Sequence, residues 1–515
     1  MKATHSERTE KHSPLAIAWN LYPFPLRPLL TLACVSALIY FVVITYRWPM
    51  VWDQATIRYV NFLMEHGWAP YRDIYDINLP GIYLIDGWQM HLFGPGDLAF
   101  RFYDFFLLGC LMTAMIAIAL PYDWLGGVVA GTVFILFHAG DATKGAGERD
   151  EVIAVLLMAA YALLFRALRR RQSVLLLPFG ICVMLALSIK PLFAPFILCV
   201  AIMALFVLKK RGEALSGYLI YGTIGALIPT GLVLHLLLQR HSMSAFVDLT
   251  TRLTVHYAGM RKEPLLQLLR YCITFEFKIT VILAGIIALF EREWMKNWER
   301  WAILVGIAGG LFSFLIQRKG FPYMKYPLLV FLLLWVCTEF TRALHKRGWL
   351  RWVGAAGLVY ATLYLVPLCR PLRRSYPEWS QFMQSLQPDL VRLGGDRLQD
   401  KVQCLDMVDG CLNALYHLNL VQSTGMTGDA LFFITNHSPV VEYYRSIFLN
   451  DIYKSPPKVF VVSDESFEGP RGFSKIDNWP EFAAFLRKNY TLVETRYFIQ
   501  SAYQIYVLKR NPPTV

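Results

Sequence analysis

Charge is scarce in this chain. Of its 515 residues only 17% are Asp, Glu, Lys or Arg, while 56% are hydrophobic; soluble domains carry about a quarter charged residues and rarely repeat apolar runs of about 20 residues. That shortage excludes an ordinary soluble protein and leaves a helical membrane protein, because in lipid the backbone must satisfy its own hydrogen bonds. Metal-ligand spacing is missing from the nine cysteines, which gives no support to zinc-finger classes. Most of them (Cys34, Cys110, Cys182, Cys199, Cys272, Cys337) lie inside apolar runs. No internal repeat or low-complexity linker is visible, so an inverted-repeat transporter gains no support. Nor does the start of the chain read as a cleaved signal. The polar "MKATHSERTEKHS" precedes a run too long for a signal core and without a small-residue cleavage site.

What is present is a series of apolar runs. Segments of spanning length fall at 28–46, 102–120, 125–140, 151–168, 173–189, 192–208, 215–238, 272–290, 301–316, 326–344 and 352–368, about eleven in all. The net charge of +13 would by itself suit nucleic acid, but the basic residues collect in short loops between the runs. Lys2, Arg8, Lys11 and Arg27 precede the first run. "RALRRR" (166–171), "KKR" (209–211), "EREWMKNWER" (291–300) and "RALHKRGWLR" (342–351) follow the fourth, sixth, eighth and tenth. All of these clusters fall on one side if the N-terminus is cytoplasmic, as the positive-inside rule requires. An odd number of spans then puts the residues after about 369 outside.

From Arg370 to Val515 the sequence turns soluble. "ALFFIT" (430–435), "KVFVVSD" (458–464) and "YQIYVLK" (503–509) are expected strands. "WPEFAAFLRKNY" (479–490) has helical spacing, with Pro480 near its start. Cys404 and Cys411 fall in this polar region, where a local disulfide suits an extracytoplasmic setting; two unpaired thiols are the plain alternative.

On this topology the outward loops are 47–101, 141–150, the turn at 190, 239–271 and 317–325. In the first, Asp53 stands directly beyond the first run, and residues 51–66 have the spacing of a helix lying in the membrane interface. Next comes "YRDIYDINLPG" (71–81), with Arg72, Asp73 and Asp76, where Pro80 and Gly81 are expected to make a turn. The second loop, "HAGDATKGAGERDE", carries Lys144, Glu148, Arg149, Asp150 and Glu151. Asp150 and Glu151 open the fourth span, where favourable placement at a helix N-terminus is their plain reading. Lys190 in "SIKPLF", and Gln317, Arg318, Lys319, Tyr323 and Lys325 in "IQRKGFPYMKYP", place cations outward against the usual bias. Headgroup anchoring explains each cation singly; a lipid-linked phosphate explains them together. Carboxylates and cations on one face suit group transfer from a polyprenyl-phosphate sugar. A carboxylate would deprotonate the acceptor hydroxyl, and Lys or Arg would steady the departing phosphate.

This arrangement resembles the membrane-embedded GT-C glycosyltransferases, nearest to the bacterial group of lipid A aminoarabinose transferases, protein O-mannosyltransferases and RgtA/B/C/D-like enzymes. In that group an Asp, often Asp-Glu, follows the first span, and a G-x-x-P-Y-x-D element and a proline motif come next. Here these are Asp53-Gln54 and "HGWAPYRDIYDINLPG", and "GERDE" stands where a second acid before the fourth span is usual. The likeness runs over residues 28–370.

The resemblance implies a polytopic all-α membrane domain of GT-C type with about 11 transmembrane helices, residues 1–369, and a small C-terminal α/β extracytoplasmic domain, 370–515. It implies a sugar transfer at the outer face of a bacterial inner membrane, from a polyprenyl-phosphate donor to a lipid, glycan or protein acceptor, among membrane lipids and without nucleic acid. Asp53 is then the catalytic base and Asp150 its support. Arg149, Asp73, Asp76, Lys190, Arg318, Lys319, Tyr323 and Lys325 are the expected substrate contacts. Two departures stand out: Gln54 replaces the common Glu, and "NLPG" stands where many members have K-P-P. The missing lysine leaves a phosphate contact to Lys190 or the 318–325 cations. Some relatives use a divalent cation near these acids, but no metal ligands are assigned, since no compact His/Asp/Glu cluster is legible in the sequence. The alternative is a transporter or flippase of a lipid-linked or anionic substrate. That class places ionisable residues within spans, whereas here they crowd into outer loops, Glu276 and Lys278 excepted. A non-catalytic scaffold would leave the acids and outward cations unexplained.

Overall fold

The computed structural model describes residues 26–272, 275–290, 297–373, 376–406, 410–435, 438–468, 471–499 and 501–509. Lys2, Arg8, Lys11, most of the 291–300 cluster and the Glu276 side chain lie outside the described residues. Among them, 8 helices are long and apolar enough to cross a membrane: Leu26–Thr45, Asp97–Ala119, Arg149–Arg170, Pro191–Lys210, Leu215–Gln239, Trp298–Gln317, Pro322–Leu344 and Trp349–Cys369. The shorter apolar helices Trp124–Gly140, Ser173–Ile189 and Phe277–Phe290 complete a one-for-one match to the expected runs. The chain is a multi-pass membrane protein.

The helices that matter below are α1 (Leu26–Thr45), α2 (Asp53–Glu65), α3 (Pro80–Phe93), α4 (Asp97–Ala119), α5 (Trp124–Gly140), α6 (Arg149–Arg170), α7 (Leu176–Ile189), α8 (Ala194–Lys210), α9 (Leu215–Gln239), α10 (Phe275–Phe290), α11 (Trp298–Gln317), α12 (Tyr326–Leu344) and α13 (Trp349–Leu363). The post of the bundle is α12, whose span is 94% buried and touches α5, α6, α10, α11 and α13. Small residues let backbones meet, as in other membrane bundles. A Cβ on Gly310 would lie 2.4 Å from the Leu328 backbone nitrogen, closing α11 on α12. At the end where the basic loops gather, ion pairs join the helices: Arg27–Asp123 at 2.7 Å, Arg169–Glu299 at 2.6 Å and Arg300–Glu339 at 2.7 Å.

Two elements of the first loop differ from expectation. Residues 53–65 are helical, but α2 does not lie half-exposed at an interface, because Gln54, Arg58 and Asn61 on its polar side are buried. They find partners on α3 instead, and within α2 only Asp53 and Thr56 near its start and Glu65 at its end keep exposure. Pro80 and Gly81 do not make a turn; Pro80 is the first residue of α3, where its missing N–H costs nothing.

The C-terminal region holds a four-stranded sheet in the order β1-β2-β4-β3, with β1 (Val402–Leu405), β2 (Val459–Ser463), β3 (Tyr490–Tyr497) and β4 (Ala502–Leu508). β1 and β2 are parallel, and the other pairs antiparallel. Four helices accompany it: α14 (Tyr376–Leu393), α15 (Cys411–His417), α16 (Pro439–Lys454) and α17 (Pro480–Asn489). The expected strands at 458–464 and 503–509 are β2 and β4, and the expected helix is α17. "ALFFIT" is not a strand. Phe432, Phe433 and Ile434 are buried, but side chains take their carbonyls: Arg445 donates to Phe432 and Ile434, and Asn478 to Phe433. Cys404 and Cys411 are disulfide-bonded.

Candidate functional site

Trp52 sets the position of Asp53. Its backbone, at φ 61° and ψ −148°, occupies a region that costs a non-glycine residue about 1–3 kcal/mol and that clusters at functional sites. The chain turns there so that Asp53 becomes the first residue of α2. Asp53 Oδ2 accepts from Arg149 Nη2 at 2.8 Å and from Tyr323 Oη at 3.1 Å. Arg149 opens α6, and Tyr323 lies in the short 3-10 turn Pro322–Lys325 before α12. Three distant segments thus converge on one carboxylate.

Asp53 borders two cavities. The first, of about 800 Å³, adds Thr56, Asp76, Asn78, Arg149 and Tyr257 to Met426–Gly428 and Ala430–Phe432 of the C-terminal region. The second, of about 1370 Å³, is lined by Trp52, Asp53, Tyr257 and Tyr323, the cations Lys144, Arg261, Lys319 and Arg471, and the acids Glu263 and Glu465. Lys144 also stacks on Trp52, 4.0 Å from the ring centre. Asp53 and Tyr257 line both spaces.

Of the expected site residues, Asp53, Asp76, Arg149, Lys319 and Tyr323 reach these cavities. Asp76 is buried and accepts from Tyr83 at 2.8 Å and from Asn78 at 3.0 Å. Lys319 donates to the Tyr257 and Met260 carbonyls, and burial pulls its ammonium down to about 8. Asp150 and Lys190 stand behind Arg149 as a buried pair, 2.5 Å apart, and Lys190 also donates to Gln317 at 2.8 Å. Burial lowers Lys190 from the ordinary lysine range.

The remaining three do not line either cavity. Asp73 pairs with Arg72 and caps the Ala69 N–H, and the Arg72 guanidinium holds its carboxyl below the usual range. Arg318 donates to the Glu263 carbonyl and braces that loop. Lys325 sits over the Phe137 ring at 4.9 Å.

In the sequence Glu148 is simply one acid of "GERDE". Both its oxygens are buried without a hydrogen bond among the described residues. Burial first, and the charge of Asp53 second, push its carboxyl well above the ordinary value. Arg261 and Arg471 enter through folding alone, the latter from a region whose sequence carries no such signal. Beside Asp53 the described residues gather no three His, Cys, Asp or Glu ligand atoms, and Arg149 supplies the positive charge there. This donor set does not fit a divalent cation, and no step below uses one.

No protein-family model and no curated protein matches the chain. Among solved structures it is similar to ArnT from Cupriavidus metallidurans bound to undecaprenyl phosphate, at 11% identity and a TM-score of 0.57, over 93% of this chain and 98% of that one. The apo form of the same protein gives 11% and 0.58, over 95% and 98%. The apo oligosaccharyltransferase of Archaeoglobus fulgidus gives 10% and 0.47, over 85% and 70%. The chain has the fold of ArnT.

Proposed function

We propose that the chain is a membrane glycosyltransferase that moves a sugar from a polyprenyl-phosphate donor to a lipid, glycan or protein acceptor, with inversion and with Asp53 as base. The carrying observation is that Asp53 borders both cavities while Arg149 and Tyr323 hold one of its oxygens. An acceptor hydroxyl entering from the first cavity gives its proton to the carboxylate as its oxygen attacks the sugar's anomeric carbon. The bond from that carbon to the phosphate oxygen breaks, and the polyprenyl phosphate leaves into the second cavity. Arg261 and Lys319 line that space, where fixed cations offset the leaving charge. The undecaprenyl phosphate bound to ArnT supports the donor class.

The basic loops support a cytoplasmic N-terminus and a reaction at the outer face of a bacterial inner membrane, with residues 1–369 as catalytic membrane domain and 370–515 as extracytoplasmic domain. The Cys404–Cys411 disulfide supports that side for the latter.

The test is transfer by purified protein from a panel of polyprenyl-phosphate sugars. Asp53→Asn should cut the rate by roughly 10²–10⁴ with unchanged yield and melting temperature. Full activity in that variant would remove Asp53 as base.

A further inference from the structure

Behind the start of α6, three side chains from three helices converge. Asp104 of α4, His138 of α5 and Glu151 of α6 are each at most 1% exposed, and their ligand atoms all lie within 4.8 Å of one another. His138 Nε2 stands 3.3 Å from Asp104 Oδ1 and 3.8 Å from Glu151 Oε1. Atoms sharing one ion at about 2.0–2.2 Å stand roughly 3–3.6 Å apart, so small side-chain shifts close this set on a cation.

The outer sides of the two carboxylates are already held. Arg101 Nη1 lies 3.0 Å from Asp104 Oδ2, and the Gly147 N–H donates to Glu151 Oε2 at 2.6 Å. Their inner oxygens, Asp104 Oδ1 and Glu151 Oε1, are buried and close no well-aligned hydrogen bond among the described residues, with His138 Nε2 facing both. Buried acceptors of this kind are costly unless a cation or a donor faces them. Two carboxylates meet one guanidinium and one imidazole, and with that imidazole neutral, as a metal ligand must be, the remaining negative charge favours a cation.

We propose that Asp104, His138 and Glu151 bind a divalent transition-metal ion of the zinc or manganese class. An imidazole nitrogen with two carboxylate oxygens suits such ions, whereas calcium and magnesium favour oxygen alone. Arg101 and the Gly147 N–H are the groups that orient the ligands. The ion ties α4, α5 and α6 together and fixes the α6 N-terminus, from which Arg149 reaches Asp53. Its role is structural, and it stands independently of the proposed transfer.

Tag-free full-length protein, purified in detergent from cells supplied with Zn²⁺ or Mn²⁺, should carry about one transition ion per chain by mass spectrometry of the metal. His138→Ala and Glu151→Gln should each lower that content at least roughly tenfold, while Asp73→Asn, outside the cluster, keeps it. Because changes at a buried site can prevent folding, the wild-type chain supplies a second measurement. Stripping with a chelator should lower its melting temperature, and Zn²⁺ or Mn²⁺ alone should restore it, saturating near one ion per chain. Wild-type protein that takes up no ion, or folded variants that keep it, would overturn the proposal and leave a proton as the missing positive charge.

Discussion

Gln54 shows how one side chain is chosen by its neighbours. Where the motif it resembles commonly has Glu, Gln54 donates through Nε2 to Asp86 at 2.7 Å, and Arg58 and Asn61 face the same buried carboxylate. A Glu there would bury a like charge against Asp86. Glu148 is the complementary case, an acid without a hydrogen bond among the described residues. Its carboxyl is raised from the ordinary 4.5 by burial and then by Asp53. The native chain therefore binds a proton that the unfolded chain gives up. Stability from this group is full below about pH 4.5 and is lost as pH rises through the folded value. Glu148→Gln cannot ionise, so its melting temperature in detergent should decline less than that of the wild type from about pH 5 to about pH 9. Parallel declines would show that Glu148 titrates as an ordinary exposed acid.

At the scale of elements, close backbone approaches position the site as much as side chains do. A Cβ on Gly81 would come within 2.7 Å of the Ser188 backbone, so "NLPG" is the start of a helix pressed against α7. Two residues further along, Lys190 caps the end of α7 and is the partner of Asp150. α7 is held in turn by α9, where a Cβ on Gly225 would lie 2.0 Å from the Leu177 carbonyl oxygen. Gly225→Leu should force these helices apart, destabilise the protein by about 1–3 kcal/mol and lower transfer by loosening Lys190. Gly231→Leu on the same helix, with nothing within 4 Å of its Cβ, should change neither thermal unfolding nor rate. Equal behaviour of the two variants would break the link between this packing and the site.

In the whole molecule the C-terminal region completes a cavity that the membrane helices only begin. Tyr59 of α2 donates to the Leu420 carbonyl at 2.9 Å and accepts from the Gln422 N–H at 2.8 Å. Asn413 reaches the Met50 carbonyl at 2.6 Å. "YRDIYDINLPG" is clamped in this seam: the Tyr75 N–H donates to the Gly425 carbonyl at 2.8 Å, and Thr427 donates to the Tyr75 carbonyl at 3.1 Å. A Cβ on Gly425 would fall 1.7 Å from the Asp73 carbonyl oxygen. Gly425→Ala should therefore push the loop off the C-terminal region, speed hydrogen exchange at residues 71–78 and reduce transfer while the apolar helices stay folded. Unchanged exchange across the seam would show that the loop stands without this contact.

Periodicity and composition determined the class, the positions of the apolar helices and much of the C-terminal secondary structure, because spanning length and backbone satisfaction in lipid are local demands on sequence. The likeness of "HGWAPYRDIYDINLPG" and "GERDE" to a known family likewise singled out Asp53, Arg149 and Asp76, since motif order survives in one dimension. Tertiary structure decided which cations reach a cavity. Lys319 lines a cavity, Lys190 is spent on Asp150, and Arg318 braces a loop, although all three read alike as outward cations. It also gathered Asp104, His138 and Glu151 from three helices and turned "ALFFIT" away from the sheet, because Arg445 and Asn478 arrive from elsewhere to take its carbonyls. Such outcomes depend on partners far away along the chain, and no local pattern records them.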